Sequence, residues 1–170
     1  MYVSKGVYLW LILSSIIVIF DASYVLLRPH SLKGGKYEDI YSPYQLYIKF
    51  DTLYGDNQDP FNIIQSWLNL VEISLAFLAV FLSLCPHKEV KLKGAFLAII
   101  VSAFTFWKTV LYVWYDHPFL SEETLAFTAD SIKIFYFPTS FWIICPVWTI
   151  LSVSKRICNE ILGAEKKKKA

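Results

Sequence analysis

Four apolar stretches, each long enough to cross a bilayer, constrain this chain more than any other feature. They run over 7–27, 61–84, 94–115 and 132–153, and a helix needs roughly 20 residues to traverse ~30 Å of hydrocarbon. Lipid offers backbone polar groups no partner, so each stretch must satisfy its own hydrogen bonds, as a helix does. Little of the 170 residues then remains for a separate soluble unit. The expected fold is an all-α membrane protein: a four-transmembrane-helix bundle over 1–156, with a long lumenal loop between helices 1 and 2, followed by a basic cytosolic tail over 157–170. Hydrophobic residues make up 56% of the chain, more than suits a soluble domain of this size, and the net charge of +2 gives no reason to expect nucleic acid as a partner.

Orientation follows from the cations. Lys5, Lys88, Lys91, Lys93, Lys155, Arg156 and Lys166 to Lys169 fall on one side of a four-span arrangement, and Arg28, Lys33, Lys36 and Lys49 on the other. The positive-inside rule then places both termini in the cytosol. The acidic loop around Asp116, Glu122, Glu123 and Asp130 belongs to the opposite side. Segment 7–27 is longer than a secretory h-region and carries a charge and bulky flanks, so it is expected as a retained first helix. Cys85, Cys145 and Cys158 all avoid the lumenal loops, and no disulfide is expected. The terminal EKKKKA places Lys167 and Lys168 at the spacing of a dilysine retrieval signal, which points to the endoplasmic reticulum membrane. A polybasic run attracted to anionic lipid gives the same pattern.

Two carboxylates interrupt the apolar runs: Asp21 in the first and Glu72 in the second. A charge at the bilayer centre costs at least about 2.5–3.5 kcal/mol, so such groups mark candidate sites. Gln65, Asn69 and Glu72 stand at i, i+4 and i+7 and share one face of the second helix. Ser102, Thr105, Thr109 and Tyr112 recur at the same spacing in the third, with Lys108 beside them. Thr139, Trp142 and Thr149 flank Pro146 in the fourth. Ser and Thr at such places commonly serve as interhelical contacts worth ~0.6 kcal/mol each, and Ser102, Thr105 and Thr149 suit that role. Two geometries are open to Lys108: an ion pair with Asp21, which lies at similar depth, or snorkelling to the lumenal interface. The first leaves Asp21 ionised and Glu72 protonated. The tyrosine-rich stretch YQLYIKFDTLY in the loop reads as a headgroup-level segment, most of its tyrosines forming an aromatic belt.

An apolar chamber holding one or two titratable groups suits a rigid lipid. One carboxylic acid and one carboxylate can move a ring double bond by protonation and deprotonation. Trp142 or Tyr112 can shield the intermediate cation, and cationic amphiphiles mimic it. His30, His87 and His117 sit in loops on different sides of the membrane, so neither a metal nor a cofactor is expected.

FDASYVLLRP, the run from FDTLYGD through DPF to QSWLNLVE, FWKTVLYVWYD and TSFWIICP together resemble the EXPERA superfamily, over residues 7 to about 155. That superfamily holds the emopamil-binding sterol Δ8-Δ7 isomerases and the sigma-2 receptor. The resemblance implies that Asp21 and Glu72 line a pocket for a sterol or cationic amphiphilic drug and, in an isomerase, carry the proton transfers. It also matches Trp142 to a pocket residue and Asp51 to a structural support; the polar stripes add Gln65, Asn69, Thr105, Tyr112 and Thr139 as substrate-binding candidates and Lys108 as a second support. A homodimer follows by family analogy alone. The chain departs from the isomerase pattern, with Ile17 in place of a His, Thr139 in place of an Asn, and Asp21 in place of a Glu. Two functions therefore stand side by side, cholestenol isomerase-like chemistry and sterol or drug binding without chemistry, with a structural or chaperone-like membrane partner whose acids only pair with Lys108 as a distant third.

Overall fold

The computed structural model describes residues 2–115 and 128–169, with side chains as far as Gly163. The acidic-loop residues Asp116, Glu122 and Glu123, together with His117, lie outside the described residues, as do the side chains of the EKKKKA run. Four long helices carry the fold: α1 (Lys5–Leu26), α3 (Pro60–Leu84), α4 (Lys88–Tyr115) and α6 (Phe137–Lys169). Between them lie the short α2 (Tyr44–Tyr47), a 3-10 turn (Thr52–Tyr54), the short α5 (Ala129–Ser131) and a π-helical turn (Ile132–Tyr136). All four long helices are apolar and long enough to cross a membrane, the last span beginning at Ala129. The chain is a multi-pass membrane protein.

Local chemistry sets the helix ends. Ser4 caps α1 by accepting from the Val7 amide. Asp59 caps α3, accepting from the amides of Phe61 and Asn62, and Pro60 follows at the first helical position, where a missing N–H is harmless. Two helices are longer than the apolar runs indicate. α4 starts at Lys88, six residues before its apolar stretch, and α6 continues through the basic tail to Lys169 without a break. Lys, Glu, Leu and Ala favour helix whether or not lipid surrounds them, so hydropathy ends before helicity does. Lys88 and Glu160 meet across these extensions at 2.7 Å.

α3 packs on both α1 and α4, and α4 packs on α6. Small residues make the approaches possible: Ala76, Ala79 and Ser83 on α3 face Gly94, Ala95 and Ala98 on α4, all of them buried. Membrane helices gain contact area in this way, since burial against lipid tails supplies no hydrophobic drive. Trp67, Phe81, Trp107, Leu111 and Ile144 are exposed and form part of the outer apolar surface.

The 28–59 segment folds back over one end of the bundle. Arg28, buried, is the strap: its guanidinium donates to the carbonyls of Val25, Leu53, Tyr54 and Asp56. Tyr24 in α1 is completely buried beneath the segment, stacked on Tyr44 at 4.0 Å and donating to the Tyr54 carbonyl.

Candidate functional site

Where the folded-back segment meets α1, α3, α4 and α6, the protein forms a partly open cavity of about 470 Å³. That volume falls within the ~300–1,000 Å³ usual for small-molecule sites. Each long helix contributes a polar group to its wall: Asp21 from α1, Asn62, Gln65 and Asn69 from α3, Lys108 and Tyr112 from α4, and Thr139 from α6. Trp142 adds an aromatic wall, stabilised by an edge-on contact with Trp10 at 5.6 Å. Pro146 lacks an N–H, so the carbonyl of Trp142 receives no helical bond from it.

Asp21 is held by phenols. Tyr54 Oη lies 3.0 and 2.8 Å from its two carboxyl oxygens, and Tyr44 donates to Oδ1 at 3.0 Å. Both tyrosines come from the folded-back segment. Burial, and then the neighbouring Asp21, hold both phenols above their ordinary value of 10.0, so they remain donors at any physiological pH. The expected aromatic belt is therefore in part the lid of the site. A buried phenol must find an acceptor, and Asp21 is that acceptor for two of them.

Lys108 neither pairs with Asp21 nor snorkels to an interface. Its ammonium lies 3.1 Å from Glu72 Oε2 and also donates to Asn69 Oδ1. Thr105 donates to the other Glu72 oxygen at 2.7 Å. The reason is angular. Helices α3 and α4 are direct neighbours, so residues facing one another across that contact meet whatever depth a third group occupies. Glu72 and Thr105 consequently lie off the main cavity, in a side chamber with only about 10 Å³ of free space. Trp142 lines both spaces.

Of the residues singled out from sequence, Asp21, Gln65, Asn69, Lys108, Tyr112, Thr139 and Trp142 line the cavity, whereas Glu72 and Thr105 sit behind it. Asp51 is fully buried beneath the lid and accepts a hydrogen bond from Tyr112. Burial pushes its carboxyl up to about 7, with Tyr112 pulling the other way. Tyr44, Tyr54 and Asn62 are site residues that sequence reasoning missed. Asn62 continues the Gln65–Asn69 stripe by one turn, at i−3 from Gln65, and that periodicity was the available signal. The Gln65 amide has no hydrogen-bond partner among the described residues. Among the described residues, no cluster of His, Cys, Asp and Glu is placed to hold a metal ion.

Comparison with protein-family models, with curated proteins and with solved structures finds no match for this chain.

Proposed function

We propose that this protein is an endoplasmic reticulum membrane protein, both termini cytosolic, that binds a sterol-like lipid or a cationic amphiphile in the four-helix cavity. The observation that carries the reading is Asp21, a carboxylate on a wall that also carries Phe20, Tyr47 and Trp142, held in place by two phenols from the lid. Stacked tyrosines and Trp142 offer flat apolar surface to a rigid ring system, and a carboxylate beside aromatic faces suits an ammonium. The motifs that resemble the EXPERA superfamily support the same ligand class, and the distribution of Lys and Arg supports the orientation. Glu72 is already bonded to Lys108 and Thr105 and lies behind the wall. One carboxylate on the wall favours holding or handing over a lipid.

The second reading is double-bond migration in a sterol ring. Trp142 favours it, because it lines the same cavity as Asp21 and can shield a cation there. In that chemistry Asp21 takes the proton lost from the ring, and a second group must deliver the proton gained. Sterol profiling separates the two. The chain is expressed in cells lacking sterol Δ8-Δ7 isomerase, and the purified protein is titrated with a labelled sterol and a tertiary-amine amphiphile. Saturable binding without Δ7 product supports the binding protein, Δ7 product supports the isomerase, and absence of both removes the sterol reading.

A further inference from the structure

The cavity presents a cation, and the disposition of Glu72 explains which part of it a ligand meets. An ammonium has three N–H donors. Lys108 spends one on Glu72 and one on Asn69. Its side chain keeps 17% of its surface accessible, and the residue belongs to the cavity wall. Glu72 is 12% accessible but does not line the main cavity; it lines only the side chamber. One of its oxygens faces Lys108, the other receives Thr105, and the chamber beside it has room for no more than about one water. On this side of the cavity the group available to a bound molecule is therefore the ammonium.

An ammonium only donates. Its complement is an oxygen lone pair on a hydroxyl or carbonyl, whereas a protonated amine at the same place meets like charge. Asp21 has the opposite character: it accepts, and it is bonded by phenols. The wall thus carries a donor pole at Lys108 and an acceptor pole at Asp21. We propose that Lys108, held by Glu72 and Asn69, is the donor that reads an oxygen on the bound lipid, and that Glu72 acts only as its positioning residue. Neutral oxygenated lipids take their specificity from Lys108 and cationic amphiphiles from Asp21. This inference rests on the cavity being a lipid site, as proposed above.

The test uses the full-length protein in detergent and three probes: a 3β-hydroxysterol, its 3-deoxy analogue, and a tertiary-amine amphiphile. The wild type is expected to bind the hydroxysterol about tenfold or more tighter than the deoxy analogue, the discrimination a charge-assisted hydrogen bond supplies. Lys108→Met/Glu72→Leu, which removes the pair without leaving a lone buried charge, is expected to bind both sterols alike. It is also expected to bind the amine as tightly as the wild type, because the pair removed is neutral as a whole and Asp21 is untouched. Retention of the hydroxyl preference in that variant overturns the inference. So does equal binding of the two sterols by the wild type, a comparison that needs no variant to fold. A wild type that binds the amine but not the hydroxysterol removes the role of Lys108 and leaves the cavity reading intact. A wild type that binds none of the probes removes the cavity reading itself.

Discussion

Lys108 on α4 reaches Glu72 on α3 at 3.1 Å, while Asp21 on α1 is bonded by two tyrosines from the lid. The two intramembrane carboxylates therefore have different jobs. The first prediction concerns the pair. With side chains only 17% and 12% accessible, removing one partner leaves a largely buried charge behind. Lys108→Met alone should lower stability by about 3–5 kcal/mol, and Lys108→Met/Glu72→Leu should recover most of it. Thermal unfolding of the detergent-solubilised variants measures both. Equal destabilisation by the single and double changes contradicts the pairing.

Tyr54 contacts both oxygens of Asp21. Tyr54→Phe keeps the stacking and deletes the donor, so it should cost about 1.5–3 kcal/mol, the range for hydrogen bonds to charged groups. It should also weaken amine binding, because Asp21 is no longer held at the wall. Tyr37→Phe, in the same segment but without a bond to Asp21, should leave amine affinity unchanged. Titration with a labelled amine reports the difference.

Asp51 makes stability depend on pH. Its folded-state carboxyl is raised from 3.8 to about 7 by burial. Between those values the folded chain holds a proton that the unfolded chain has released, so stability falls as pH rises. The contribution is fully present below 3.8, is lost progressively up to 7, and is flat above. Asp51→Asn mimics the protonated form and should flatten the unfolding midpoint across pH 4–7. An unchanged slope in that variant excludes Asp51 as its source.

Gly94 marks a close contact between α4 and α3. A Cβ there would collide with the Ser83 amide nitrogen and lie 2.9 Å from the Ala79 carbonyl oxygen, both backbone atoms of α3. Gly94→Ala must push α3 from α4 and should cost about 1–3 kcal/mol. Gly163→Ala meets nothing within 4 Å among the described residues and should be neutral or gain about 0.5–1 kcal/mol, since alanine loses less backbone freedom in a helix. Paired melting curves test this.

The four spans and the faces carrying Asn69 and Trp142 were legible in the sequence because length, hydropathy and helical period are local properties. Partnership was not. Counting residues from a helix end gives the depth of Asp21 and Lys108, but not which helix each faces. The position of Glu72 behind the wall depends on α3 and α4 packing through Gly94 and Ala98. The tyrosines were harder still. Their role requires residues 28–59 to close over the bundle, through bonds such as Arg28 to Leu53 that span 25 positions. The helical tail was hidden for the opposite reason: the lysines that end the apolar signal do not end the helix.

The central claim, a lipid held inside the bundle against Asp21, is tested most directly by photolabelling. A diazirine-bearing sterol is crosslinked to the purified protein, with and without excess tertiary-amine amphiphile, and the modified residues are mapped by mass spectrometry. The account predicts amine-sensitive labels on cavity residues such as Tyr44, Tyr54 and Trp142. Labels confined to the outer surface at Trp67, Trp107 and Phe81, unaffected by the amine, would contradict it.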